Sequence, residues 1–320
     1  MRKILLLIIP LLLVLTACSD FTSPKRFTES QYTLSAVLTA GTYISLENPV
    51  IIGKSVNLAD LNSPDMFISN AQVNITELYQ GAEVTTFGLF PYHIVLPNTA
   101  DTVTLYIDTM QHIIQPGHTY HVEVTIPGYA KTIMADTVVP EAVELEPDFN
   151  HLNNPAQGYT TVYSDSLPVM PYDRINLDYP LALRVDGEQT VNTLFELYCL
   201  EEFSTDLEFT TSFLGQEHPP SSLESNYYAS SGETIRRINF MARMVSKMAD
   251  SGKYYILLQD YRQGFVFFGR YRVTASVIDD NYYYYKFMTD GYLHGGVVNG
   301  IGCFGSRAGG TLYTRIVKGS

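Results

Sequence analysis

The sequence is poor in the residues from which metal, redox and nucleotide sites are built. Three cysteines, Cys18, Cys199 and Cys303, are spread over 320 residues, and no C-x-x-C pair occurs. That excludes a thioredoxin-like redox motif and a zinc knuckle. Seven histidines stand at positions 93, 112, 118, 121, 151, 218 and 294, without an H-E-x-x-H pair. His118 and His121 are three apart on a segment that reads as strand. They therefore point to opposite faces and cannot share a metal there; histidines facing solvent are expected. The calcium loop of an EF-hand, a Gly-Lys-Ser/Thr and a G-x-S-x-G elbow are all missing, which removes three further site classes. Basic residues are scarce as well, 20 Lys and Arg against 33 Asp and Glu, for a net charge of −13. A surface of that sign repels nucleic acid and anionic headgroups, so neither is an expected partner. Tryptophan is absent while tyrosine occurs 24 times. Tyrosine serves strands and contact surfaces alike, so the count alone separates neither.

Long apolar runs are almost absent too. The one exception is residues 1–17, "MRKILLLIIPLLLVLTA", with Arg2 and Lys3 ahead of an apolar stretch broken only by Pro10. It is shorter than the ~20 residues of a membrane span and reads as a secretory signal. The stretch "LTAC", residues 15–18, resembles a bacterial lipobox. That resemblance implies cleavage before Cys18, a diacylglycerol thioether on its sulfur and an acylated amine, together a multi-chain anchor. Ser19 follows in place of the Asp that favours inner-membrane retention. The expected location is therefore the outer membrane, lipid-anchored, with the leaflet open. Residues 18–31 are polar and read as a tether.

Period-2 alternation marks the next hundred residues as half-buried antiparallel strands. "YTLSAVL" puts Tyr32, Leu34, Ala36 and Leu38 on one face, "AQVNITELY" puts Ala71, Val73 and Ile75 there, and "TVTLYID" Val103, Leu105 and Ile107. "TYHVEVTI" alternates Tyr120, Val122, Val124 and Ile126 against His121, Glu123 and Thr125. Pro-Gly turns flank it. Short strands with such turns suggest an immunoglobulin-like sandwich over residues 32–145. A Pro-rich, acidic stretch over 137–155 sets the boundary near 145, and a second β-rich unit is expected over 146–320. Its strand candidates are "LALRV", "LFELYCL", "LEFTTSF", "KYYILLQDY" and "FGRYRVTASVI", the last alternating Tyr271, Val273, Ala275 and Val277 against Arg270, Arg272, Thr274 and Ser276. Residues 235–248 fit either a helix face or a strand, and a strand pairing with "KYYILLQDY" is preferred. "DDNYYYYKFM" reads as a short helix capped by Asp279 or Asp280, with Lys286 near its end and Gly291 stopping it. The fold class is thus all-β with minor α.

The stretch "GIGCFG", residues 300–305, matches G-x-G-x-x-G. A dinucleotide site would need a following helix and an acid ~20 residues on. Only 15 residues follow Gly305, and none is Asp or Glu. No cofactor is expected. The glycines read as a backbone device, a tight loop ahead of a last strand over residues 312–317. The context carries a resemblance. Asn299, Gly300, Gly302, Phe304 and Gly305, with "LSAVLT", "NAQVNITE", "PGHTYHVEV", "IPGY" and "DTVVP" upstream, are similar to a family of outer-membrane lipoproteins of unknown function common in Bacteroidota-type genomes. Cys303 departs from it, standing where an aromatic or aliphatic residue is more usual. Genes of that family often lie beside TonB-dependent receptors. The resemblance therefore implies an accessory or ligand-binding role with such a receptor.

Catalytic constellations are sparse. Glu201–Glu202 are neighbours that point apart on a strand, and Asp279–Asp280 are better explained as a cap. Two distant carboxylates could still meet in space. Tyr282, Tyr283, Tyr284 and Tyr285, with Tyr227 and Tyr228, could form a contact surface; packing of the helix onto the sheet is the plainer reading. Cys199 and Cys303 are either a disulfide or two buried thiols. The expected function is a non-catalytic binding or accessory lipoprotein. Its alternatives are a surface adhesin or structural lipoprotein, and a periplasmic carbohydrate-active hydrolase.

Overall fold

Alternation along the first strands decides the layering. A computed structural model describes residues 31–55, 66–95, 102–141, 143–146, 158–174, 181–185, 192–212, 215–223, 237–243, 246–247, 253–256 and 261–319. Within them the chain is all-β with one short α-helix. The strands of the first half are β1 (Tyr32–Thr39), β2 (Ile51–Lys54), β3 (Gln72–Tyr79), β4 (Ala82–Val95), β5 (Thr102–Ile107), β6 (Thr119–Thr125), β7 (Ile133–Val138) and β8 (Val143–Glu146). Those of the second are β9 (Val169–Pro171), β10 (Leu181–Val185), β11 (Asn192–Cys199), β12 (Arg237–Arg243), β13 (Ser246–Lys247), β14 (Lys253–Ile256), β15 (Gly269–Ile278) and β16 (Ile301–Val317). The helix α1 spans Asp280–Phe287.

Three sheets result. One runs β5-β4-β3-β6-β7, one β13-β14-β10-β8, and the largest β12-β11-β15-β16-β1-β2 with β9 also paired to β16. Three of the apolar faces read from sequence are buried: Leu34, Ala36 and Leu38 of β1, Val73 and Ile75 of β3, and Tyr120, Val122 and Val124 of β6 share one core; β5 instead sends Tyr106 into it, not the expected face of Val103, Leu105 and Ile107. Tyr120 accepts the Gln115 N–H at 2.7 Å, the upstream bond of the tyrosine corner found in immunoglobulin-like sandwiches. The flanking turns carry Gly117 and Gly128 at positive φ. A second core gathers Phe195, Leu197, Tyr271, Val273, Leu312 and Ile316 under an aromatic cover of Phe209, Phe265 and Phe267.

Among the described residues, the members of the second core all lie beyond residue 145, whereas the first core also takes Phe304, and the largest sheet draws strands from both sides of that residue. β1 pairs in parallel with β16, Leu34 opposite Gly302 and Ala36 opposite Phe304. The sandwich is therefore not closed by N-terminal strands alone. Phe304, fully buried, completes the first core from the far end of the chain. Other expectations need correction too. The last strand begins at Ile301, eleven residues earlier than expected, so Gly302 and Gly305 lie inside it rather than in a loop. Residues 237–243 are strand, but β12 pairs with β11, and only the two-residue β13 meets β14. "LEFTTSF" supplies a single bridge, Phe209 to Phe267, instead of a strand. Ser276 is buried, not on the solvent side.

The motif residues form a joint. Asn299 sits at φ 61°, donates from Nδ2 to Thr132 O at 2.8 Å, and its own carbonyl accepts Tyr129 Oη at 2.8 Å. Gly302 has φ 119°, and a Cβ there would stand 2.1 Å from Leu34 O. Only a residue without a side chain lets β1 come this close. At Gly305 a Cβ would stand 2.7 Å from Tyr282 Cβ, so the same economy admits α1.

Asp279 locks that helix in place. Its Oδ1 accepts the Tyr282 N–H at 3.0 Å and the Ser306 N–H at 2.9 Å. Its Oδ2 lies 2.8 Å from Thr137 Oγ1, which lies 2.9 Å from Ser306 Oγ, which donates to Val138 O at 2.9 Å. Burial pushes the Asp279 pKa above the ordinary value, against the hydrogen bonds from Ser306, Thr137 and Tyr282. The helix runs to Phe287 and is capped by Met288; Gly291 instead opens the next 3-10 turn.

Four outcomes follow for stability. Gly302→Ala should cost about 3 kcal/mol or more in urea unfolding. Gly41→Ala, at φ 75° with no atom within 4 Å of a Cβ, should cost only about 1 kcal/mol. The raised pKa of Asp279 means that its contribution is complete below the unfolded value of about 3.9 and is lost as pH rises through the folded value. Asp279→Asn keeps the Oδ1 acceptor for Tyr282 and Ser306 and removes the charge that burial penalises. It should equal or exceed the parent by about 1 kcal/mol at neutral pH, the difference vanishing in acid. Asp279→Ala should lose about 1–2 kcal/mol with the cap.

Candidate functional site

The outward side chains of β11, β15 and β16 are polar because the inward ones fill the second core. In β16 the even positions Leu312 and Ile316 are buried there. The odd positions Arg307, Thr311 and Tyr313 line a groove on the other side, with Glu196 and Tyr198 of β11 and Arg272 and Thr274 of β15. The groove holds about 1140 Å³. Register builds it in rows. Arg272 stands opposite Tyr198 on one side and Tyr313 on the other. Its guanidinium carbon lies 5.0 Å from the Tyr198 ring centre, a cation–π contact. The Tyr313 ring meets Tyr163 edge-on at 5.4 Å. In the next row Thr274 and Thr311 bond at 3.1 Å.

The wall is the segment after β1, residues 41–48, which the hydrogen bonds hold rigid. Gly41 N donates to Ile114 O and Ile114 N to Thr42 O, both at 2.8 Å. Asn48 Oδ1 accepts from Ser45 N at 3.0 Å and Ser45 Oγ at 2.8 Å. Ile44 anchors the wall in the first core. A site preorganised in this way orders little on binding.

Among the residues whose side chains are described, four arginines lie on this sheet face: Arg270, Arg272, Arg307 and Arg315. Arg307 is engaged on two sides, by Glu196 at 3.1 Å and Thr39 Oγ1 at 3.0 Å. Arg270 grips Glu201 with Nε at 2.9 Å and Nη2 at 3.0 Å. Burial would raise the Glu201 pKa, but the hydrogen bonds and charge of Arg270, with Arg315 nearby, hold it below the ordinary value. Arg272 has no carboxylate within ion-pair distance among the described residues.

The residues singled out in the sequence lie elsewhere. Cys18, Tyr227 and Tyr228 fall outside the described residues. On α1, Tyr282 and Tyr283 are half-buried while Tyr284 and Tyr285 are exposed, beside exposed Phe287 and Met288. None of the four tyrosines lines the groove. Asn299, Gly300, Gly302, Phe304 and Gly305 belong to the joint. Cys199 and Cys303 are separate buried thiols. Burial, reinforced by Asp279, pushes the Cys303 thiol up to about 12, so it is no thiolate near neutrality. The histidines are not simply solvent-facing. His118 pairs with Glu77 at 2.6 Å, His121 with Asp136 at 2.8 Å and His112 with buried Asp108 at 3.0 Å. Each has its own partner, and among the described residues no three His, Cys, Asp or Glu side chains group to hold a metal. The groove residues were missed as a set, although the alternation of Arg270, Arg272 and Thr274 already put them on the polar face. A smaller hollow of about 300 Å³ beside Tyr172 and Phe268 is partly spanned by Lys318, which donates to Glu208 at 2.6 Å.

No protein-family model matches the chain, and no curated protein matches it. Among solved structures it is similar to Escherichia coli alpha-2-macroglobulin activated by porcine elastase, at 12% identity and a TM-score of 0.19. That match covers 90% of this chain and 23% of the other, and at so low a score it carries no argument.

Proposed function

We propose that this protein is a lipid-anchored envelope protein of non-catalytic binding type, an accessory to an outer-membrane TonB-dependent transport complex. The groove is its binding face. The observation that carries the reading is that the groove is preorganised and its floor carboxylate is committed. Glu196 is almost fully buried and held by Arg307 at 3.1 Å. The Cys303 thiol is buried with a raised pKa, which speaks against a nucleophile. The lipobox at residues 15–18 and the likeness of Asn299, Gly300, Gly302, Phe304 and Gly305 to the Bacteroidota-type lipoproteins support the anchor and the receptor. The tyrosine corner at Tyr120 supports the immunoglobulin-like description of the first layer pair.

The test is purification of the full chain from its own envelope, with mass spectrometry of what accompanies it. A TonB-dependent receptor is expected in near-equal amount. Cys18→Ser should abolish labelling by radioactive palmitate and move the protein to the soluble fraction. A chain that comes down alone, or one that stays membrane-bound and labelled without Cys18, would overturn the reading.

A further inference from the structure

The groove's chemistry narrows what it takes. Its lining is dominated by hydroxyls and charges: Thr39, Thr42, Tyr43, Ser45, Thr274 and Thr311 beside Arg272, Arg307, Glu47 and Glu196. Leu46 and Ile113 are the aliphatic side chains on it, and both are about half exposed. A lipid or an apolar helix would leave these polar groups unpaired, at a cost for each one buried. An extended peptide adding a strand needs a free sheet edge, and the groove lies on a sheet face between paired strands. Nucleic acid is bound through rows of cations along its phosphates, whereas the lining has two arginines, of which Arg307 is already paired with Glu196. What remains is a hydroxyl-rich oligomer long enough for a groove of about 1140 Å³, larger than the 300–1,000 Å³ of ordinary single-ligand pockets.

Two features then set the charge. Arg272 is held between Tyr198 and Tyr313 by strand register and stacks on the Tyr198 ring. A guanidinium stacked in this way loses little freedom on meeting a carboxylate and can bind it with two parallel N–H donors. Two arginines line the groove, and Arg307 is already neutralised by Glu196, so an incoming anion there finds Arg272. Tyr313, placed beside it, offers a flat face for a sugar ring.

We propose that the groove binds an acidic oligosaccharide, a chain of uronic-acid units, with one carboxylate on Arg272 and a sugar ring against Tyr313. This rests on the binding-module reading above and names its ligand class.

The test is calorimetric titration of the detergent-solubilised full chain with short oligogalacturonate and oligomannuronate. Fully methyl-esterified oligogalacturonate, with the same rings but no charge, is the comparison. At least one acidic chain should bind, and the ester should bind at least about tenfold more weakly, or 1.4 kcal/mol. Arg272→Gln should lose that factor for the acidic chain and nothing for the ester, while Tyr313→Ala should weaken both. Arg272 is exposed, so its substitution leaves folding intact. Binding of neither acidic chain, equal binding of acid and ester, or preferential binding of an oligoglutamate peptide would each overturn the ligand class. Receptor co-purification would be unaffected by those results, which separates this failure from failure of the binding-module reading. Bound chains should be recovered at their original length. Shortened products would overturn the non-catalytic reading itself.

Discussion

The parallel contact between the first and last strands is the constraint on which the rest of the molecule depends. Backbone must approach backbone where Leu34 faces Gly302, and no side chain fits between them. Once that approach is made, Phe304 drops into the N-terminal core, Arg307 reaches Thr39, and α1 seats on Gly305. The same strand carries its far half into the second core through Leu312 and Ile316. One strand therefore sets the spacing of two cores and the floor of the groove. Burial of Phe304 alone is worth about 2–3 kcal/mol, yet it is available only after the glycine contact has formed.

Charge is distributed with the same logic. An acidic chain gathers Arg270, Arg272, Arg307 and Arg315 on one sheet face, where Glu196 and Glu201 neutralise two of them. Arg270 and Arg315 face each other in register, an arrangement that like charges oppose. Glu201, whose carboxylate feels both, offsets that repulsion. The groove is thus not a simple positive patch. It is a balanced network with one guanidinium held ready on an aromatic ring.

Much of the layering was legible in the sequence, because single-faced burial imprints period 2. The strands β1, β3, β6 and most of β15 each show it, whereas in β5 Thr104, Leu105 and Tyr106 are buried in succession. β4 does not, since most of its side chains are exposed on both faces and Gly88 and Pro91 interrupt its pattern. β16 was read only from Leu312 onward because its first half trades side chains for close approach, and glycine has no hydropathy signature. The site was less legible still. Its residues come from β11, β15, β16 and the segment after β1, and nothing in any one stretch says that they meet. Polar alternation in "RYRVT" marked a solvated face; only the register shows that Tyr198 and Tyr313 flank Arg272.

The Thr39–Arg307 bond joins residues 268 apart. A chain emerging from its N-terminus makes β1 first and its parallel partner nearly last. Through most of synthesis, one edge of β1 is an open template for any passing strand. Non-local pairings of this kind are intrinsically slow to form, and the exposed intermediates they leave are prone to aggregation. Biogenesis thus bears the burden of this architecture: that edge of β1 stays unpaired until the closing segment arrives.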